Sequence, residues 1–305
     1  DVRVYNRGFS TAEVEALYGL EKPQPAVVSI SPESGSFGSG AGSGEIQVSA
    51  SSETKWAARA DAPWITVTDG TAGIDSFETH KITSFADGAV SVYAVDVDGD
   101  GDMDVLSASE NDDTIAWYEN DGSESFTTHK ITTAADLAYS VYAADVDGDG
   151  DMDVLSASII DDTIAWHQND GSENFTTHKI TTTADGANSV YATDVDGDGD
   201  MDVLSASVDD DTIAWYENDG SENFTAHEID TTAGRAKSAY AADLDGDGDL
   251  DVLSASREDD TIAWYENDGS ENFATHVITN SADHAMSVYA ADMDGDGDMD
   301  VLSAS

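Results

Sequence analysis

The sequence predicts an all-β fold: a β-propeller of four-stranded blades, four complete 49-residue repeats plus a partial fifth, with a small β module before them. Three observations predict it. The string DGDGD occurs five times, in blocks that begin at Asp96, Asp145, Asp194, Asp243 and Asp292, each 49 residues after the last. Every repeat carries four short segments rich in Val, Ile, Thr, Tyr and Trp, separated by DG and ND turn signals. The apolar spacing alternates in twos, without the 3.6-residue period of a helical solenoid, and the repeat is too long for one coil of a β-helix.

Taking Phe77, Phe126, Phe175, Phe224 and Phe273 as unit starts gives four whole units and a fifth that stops after VLSAS at Ser305. In the third unit the expected strands are FTTHKIT from Phe175, NSVYATDV from Asn188, DVLSAS from Asp202 and TIAWYEN from Thr212. Within TIAWYEN, Ile213 and Trp215 fall on one face and Ala214 and Tyr216 on the other. Both faces are apolar or aromatic, as in a sheet packed between two neighbours. All four prolines (Pro23, Pro25, Pro32 and Pro63) precede the repeats, so none interrupts a ladder.

The 305 residues hold 64 acidic side chains against 11 Lys and Arg, a formal charge of −53. Such a surface repels phosphate backbones and anionic bilayers, which excludes nucleic acid as a partner. Hydrophobic residues make up 39% of the chain, enough to bury a core, so the charge does not mean disorder. With no Cys there is neither a disulfide framework nor a thiolate metal site. No apolar run approaches the roughly 20 residues that span a bilayer, so membrane insertion is not expected. The chain opens on Asp1 rather than Met, which reads as a processed or partial chain. From residue 77 onward lie 54 of the acids and 6 of the bases, a net −48. The charge therefore belongs to the repeat.

Its densest point is DVDGDGDMD. Five carboxylates in nine residues repel one another unless a cation sits among them, and hard oxygen ligands at alternate positions select Ca²⁺ over the stricter Mg²⁺. In the first loop Asp96, Asp98 and Asp100 would offer side chains, Asp102 its backbone carbonyl and Asp104 a closing carboxylate, with Gly101 at the sharp turn. The same roles fall to Asp145, Asp147, Asp149, Asp151 and Asp153; to Asp194, Asp196, Asp198, Asp200 and Asp202; to Asp243, Asp245, Asp247, Asp249 and Asp251; and to Asp292, Asp294, Asp296, Asp298 and Asp300. That makes up to five Ca²⁺, about one per repeat. An EF-hand is excluded: its bidentate Glu would fall at Ser107, Ser156, Ser205, Ser254 and Ser303, and the flanks are strands. These loops hold 25 of the 54 acids, and five Ca²⁺ would bring the segment from −48 to −38.

The spacing Asp-x-Asp-x-Asp-Gly-x-x-Asp between strands, followed by VLSAS and TIAWYEN, resembles the FG-GAP or VCBS repeats of integrin-α-like propellers over residues 77–305. That resemblance implies a calcium-binding propeller. The chain departs from the family in lacking Phe-Gly and Gly-Ala-Pro motifs and in showing fewer than six or seven blades.

Two shorter segments precede the array. DVRVYNRGFSTAEVEALYGL reads as a strand and then a helix, with Ser10 and Glu13 as a capping box and Gly19 at the end. Residues 1–21 resemble the C-terminal end of a laminin-G or concanavalin-like jelly roll. Residues 26–73, with SPESGSFGSGAGSG and WITVT, resemble a BACON-type immunoglobulin-like module that lacks its last strands. Trp56 and Trp64 in it read as core residues ahead of sugar platforms.

Differences among the five units concentrate in two loops, one after FTTHKIT and one after VLSAS. In an up-and-down blade these share the face opposite the calcium loops. Exposed turns drift after duplication; a ligand face combining Tyr139, Asn188, Arg235, Lys237, His284 and Met286 is the sharper expectation. Catalysis has little support. His80, His129, His178, His227 and His276 recur once per unit, only His167 and His284 stand outside the repeat, and no asymmetric nucleophile–base set occurs. The expected function is therefore non-catalytic, calcium-stabilised binding or adhesion, secreted or at the cell surface of a bacterium, with carbohydrate or a cell-surface protein as ligand. The alternatives are an accessory region of a secreted polysaccharide-degrading enzyme and a passive spacer.

Overall fold

The computed structural model of the chain describes residues 79–305 except Glu124, together with the backbone of five short strands nearer the N-terminus. The chain divides into two compact units, residues 1–79 and 80–305. In the first, β1 (Val2–Val4) pairs in parallel with β4 (Trp56–Ala60), which pairs antiparallel with β5 (Thr71–Ala72), while β2 (Ser29–Ser31) pairs with β3 (Gln47–Ser49). The helix expected at residues 10–19, the Gly/Ser stretch and Trp64 lie outside the described residues, as do the side chains of this unit.

The second unit is a succession of four-stranded antiparallel sheets in meander order. The first sheet runs β6 (Ala89–Val95), β7 (Asp104–Ser109), β8 (Thr114–Asn120), β9 (Phe126–Thr132). The second is β10 (Ala138–Ala144), β11 (Asp153–Ser158), β12 (Thr163–Asn169) and β13 (Phe175–Thr181); the third is β14 (Ala187–Thr193), β15 (Asp202–Ser207), β16 (Thr212–Asn218) and β17 (Phe224–Asp230). The fourth is β18 (Ala236–Ala242), β19 (Asp251–Ser256), β20 (Thr261–Asn267) and β21 (Phe273–Thr279), and a two-stranded fifth holds β22 (Ser287–Ala291) and β23 (Asp300–Ala304).

Four complete sheets and a partial fifth agree with the repeat arithmetic, but the phase differs from the expected unit. Each Phe-led segment is the last strand of the preceding sheet, so that β13, from Phe175, closes the sheet begun by β10. The links after β12 and after β13 are both five residues long, so their length does not set the phase; strand pairing does, since β13 ladders antiparallel with β12 while β14 starts a separate sheet. The first such segment, at residues 79–83, forms no strand.

Consecutive sheets pack through their first strands, β6 on β10 on β14 on β18 on β22. Tyr93, Tyr142, Tyr191, Tyr240 and Tyr289 form a ladder along these strands, with neighbouring ring centroids 4.6 to 4.9 Å apart. Ser91 and Ser140 accept the Val141 and Val190 amides of the next sheet at 3.3 Å.

The core lies between sheets. Leu155, Ile164 and Trp166 of the second sheet meet Val190, Val203, Ala214 and Tyr216 of the third; Leu204, Ile213 and Trp215 of the third meet Ala239, Val252, Ala263 and Tyr265 of the fourth. The alternation read in TIAWYEN is thus real: Ile213 and Trp215 face one neighbour, Ala214 and Tyr216 the other. DVLSAS is buried along its whole length in sheets two to four because both of its faces are covered. The succession does not close on itself. Val92 is 70% exposed where Val141, Val190 and Val288 are 4 to 5% exposed, and Leu302 is 37% exposed where its counterparts are 0%.

Candidate metal centres and the opposite loop face

Each sheet has two ends. At one, the DxDGDGDxD loop between its first two strands meets the NDGS turn between its last two. Gly101 turns the first loop with φ of 99°, in the left-handed region that a side chain rarely enters, and its four counterparts share that conformation. Gly122 of the adjoining turn, φ 73°, has no room for a Cβ, which would collide with Asp102 Oδ2.

Inside the loop, Asp96 accepts the Gly99 and Gly101 amides at 2.9 and 3.0 Å, and Asp98 accepts that of Asp100 at 3.1 Å. Asp104 is fully buried and accepts the Val97 amide at 3.0 Å and the Asn120 amide at 2.7 Å. These bonds aim Asp96, Asp98 and Asp104 inward, with one carboxylate oxygen of each lying within 4.8 Å of the others. The groups Asp145, Asp147 and Asp153; Asp194, Asp196 and Asp202; and Asp243, Asp245 and Asp251 repeat the arrangement. Asp100 lies outside this group: its side chain accepts the Asp102 amide at 2.9 Å and is exposed. The Asp102 carboxylate lies against Gly122 instead.

The residues fit a cation. The donors are all hard oxygens, and Asp145 Oδ1 is a buried carboxylate oxygen with no hydrogen-bond partner. Burial pushes Asp153 and Asp202 up to about 6, which marks charge that lacks compensation, and it raises Asp98, Asp196 and Asp251 too. A bound Ca²⁺ would neutralise the converging carboxylates, with Asp96, Asp98 and Asp104 as its side-chain ligands in the first loop.

One contact had no signal in the sequence. Asn169, at the end of β12, sends Nδ2 back to the Val97 carbonyl of the preceding sheet's aspartate loop at 3.3 Å, and Asn218 reaches Val146 likewise at 3.1 Å. Each aspartate loop is thereby tied to its neighbour. The repeating histidines are structural: His129 and His227 stack on Trp117 and Trp215 at 4.5 and 4.6 Å and bond Glu119 and Glu217 at 2.8 Å. His167, standing where other units have Tyr, is buried between Ser156 and Thr177 at 2.9 Å from each, and burial pushes it down to about 4.

At the other end the two variable loops lie together. The Ile159, Val208 and Arg257 amides donate to the Leu137, Gly186 and Arg235 carbonyls. Position 88 and its counterparts are held left-handed, by glycine at Gly88 and Gly186 but by Leu137, Arg235 and His284 elsewhere, at φ of 53 to 58°. Side chains two residues on converge. Asn188 Nδ2 donates to the Lys237 carbonyl at 2.7 Å, Lys237 Nζ donates to Asn188 Oδ1 at 3.0 Å, and Nζ stands 5.7 Å from the centroid of the Tyr139 ring. Three sheets thus contribute to one cluster. Met286 is 42% exposed, and His284 bonds Asp283 at 2.8 Å.

A sequence scan matches the FG-GAP-like repeat family at residues 96–156, 157–205, 194–254 and 243–303, which is more than half of the chain. The chain belongs to the FG-GAP-like repeat proteins. Among solved structures it is similar to a functionally unknown protein from Desulfotomaculum acetoxidans, with 14% identity and a TM-score of 0.52 over 73% of this chain and 65% of that one. It is also similar to the Vibrio cholerae biofilm matrix protein Bap1, with 20% identity and a TM-score of 0.45 over 72% of this chain and 35% of that one. The chain thus spans less than two thirds of either. No curated protein matches. No helix among the described residues is long and apolar enough to cross a membrane.

Proposed function

We propose that the repeats are blades of a calcium-stabilised β-propeller that works outside the cell as a non-catalytic binding or adhesion module. Its ligand, a carbohydrate or a cell-surface protein, is taken on the loop face opposite the aspartate loops. One observation carries this reading: the positions that distinguish one repeat from another do not scatter as drifting turns would, but bring Tyr139, Asn188 and Lys237 from three sheets into contact. Backbone cost supports it. Leu137, Arg235 and His284 hold a conformation that glycine adopts more cheaply, and such strain gathers at functional sites. Loops of this ligand type work at the roughly 10⁻⁴ to 10⁻³ M calcium of extracellular modules, which supports the location. A glycan and cell-surface binding screen of the chain, against a variant carrying Gly or Ser at residues 139, 188, 235, 237, 284 and 286, tests it. Binding is expected to vanish while the melting curve stays cooperative. Unchanged binding in that variant would contradict the assignment.

A further inference from the structure

We infer that this loop face recognises a carboxylate, that of a uronic acid residue in an acidic saccharide, at a cationic point on the fourth sheet; this rests on the ligand-face reading above. The chain has only 11 Lys and Arg among 305 residues, yet Arg235, Lys237 and Arg257 meet at one place. The backbones of Arg235 and Arg257 are hydrogen-bonded to each other. Lys237 is 9% exposed, and the two guanidinium charges act on it unfavourably. Among the described residues its ammonium makes no ion pair; Asp209 pairs with Arg235 at 4.0 Å at the surface, and Asp211 accepts the Arg235 backbone amide at 2.7 Å. Gathering like charges around a buried ammonium is unfavourable unless an anion completes the set. In a chain of charge −53, carboxylates are the cheapest partner to supply internally, yet among the described residues none pairs with the Lys237 ammonium, which is bonded only to Asn188.

The cations are not a property of the repeat. Positions equivalent to Arg235 hold Gly88, Leu137, Gly186 and His284; those equivalent to Lys237 hold Val90, Tyr139, Asn188 and Met286; those equivalent to Arg257 hold Glu110, Ile159 and Val208. Only the fourth sheet assembles all three. The surroundings narrow the anion. Guanidinium groups suit a planar carboxylate, Asn188 holds the ammonium in place, and the Tyr139 ring adds a surface of the kind that lies against a pyranose. The strongly negative remainder of the chain disfavours a long polyanion, so a short acidic oligosaccharide or a chain end fits best.

Calorimetric titration of the whole chain, in calcium, with trigalacturonate and with its neutral methyl ester tests this. The free acid is expected to bind at least about tenfold more tightly than the ester, a difference of about 1.4 kcal/mol. Lys237→Met should abolish that preference, and Arg257→Ala, at an exposed position that cannot threaten the fold, should reduce it. Equal binding of acid and ester would overturn the carboxylate assignment and leave the ligand face standing. Binding of neither, with neutral glycans and protein ligands also failing in the wider screen, would remove both.

Discussion

Asn169 donates its side-chain amide to the Val97 carbonyl, 72 residues earlier, and so fastens the second sheet to the aspartate loop of the first. Asn169 is 2% exposed, so an unpaired carbonyl or amide there would be costly. Asn169→Leu is expected to destabilise the array by about 1–3 kcal/mol and to weaken calcium binding at the preceding loop. Asn120 bonds the Met103 carbonyl of its own sheet, and among the described residues no earlier loop lies within its reach. Asn120→Leu should therefore cost less, and melting curves of the two variants in calcium and in chelator decide it.

Arg235 holds a left-handed backbone at φ of 53°. Arg235→Gly should relieve that strain and, after the added freedom of the unfolded chain is subtracted, stabilise the fold by about 0.5–1 kcal/mol. The same change should weaken ligand binding. A variant that melts higher and binds less well is the expected outcome; lower stability with intact binding would point to a purely structural arginine.

His167 gives the fold a pH dependence that its tyrosine counterparts do not. Its folded value of about 4 lies below the ordinary 6.5, so the unfolded chain binds the proton more tightly. Stability is full above about pH 6.5 and falls as pH drops toward 4, by up to about 3 kcal/mol. The acidic loops titrate over part of the same range, so the informative quantity is the difference between the wild type and His167→Tyr. Tyr118 faces Thr128 across the first sheet as His167 faces Thr177 across the second, so tyrosine should fit. Chemical denaturation at about pH 7 and about pH 4.5 should show the smaller loss in the variant.

Leu204 is fully buried at the interface between the third and fourth sheets. Leu204→Ala should cost about 2–5 kcal/mol. In Leu302, 37% exposed in the last hairpin, the same change should cost far less, as measured by the same denaturation curves.

The repeat, the strands and the aspartate loops were legible because each is local: period two within TIAWYEN, glycine at the turn of DGDGD, carboxylates at alternate positions. The phase of the sheets was not, because a four-strand period reads the same whichever strand begins it, and the links after Asn169 and after Thr181 are both five residues long; only the pairing of β13 with β12 settles it. Nor could spacing reveal that Asn169 reaches Val97, or that Tyr139, Asn188 and Lys237 touch, because those contacts depend on how consecutive sheets stack. Asp100 reads as a side-chain ligand from its alternate position; its carboxylate accepts the Asp102 amide and stands outside the group in which Asp96, Asp98 and Asp104 converge.

Melting of the whole chain in calcium and in EDTA tests the central claim most directly, with Asp98→Asn as the comparison. If the loops hold calcium in the folded state alone, mass action raises the transition temperature in calcium and chelation lowers it, and the variant shifts by less. Superimposable melting curves in calcium and in EDTA would contradict the account.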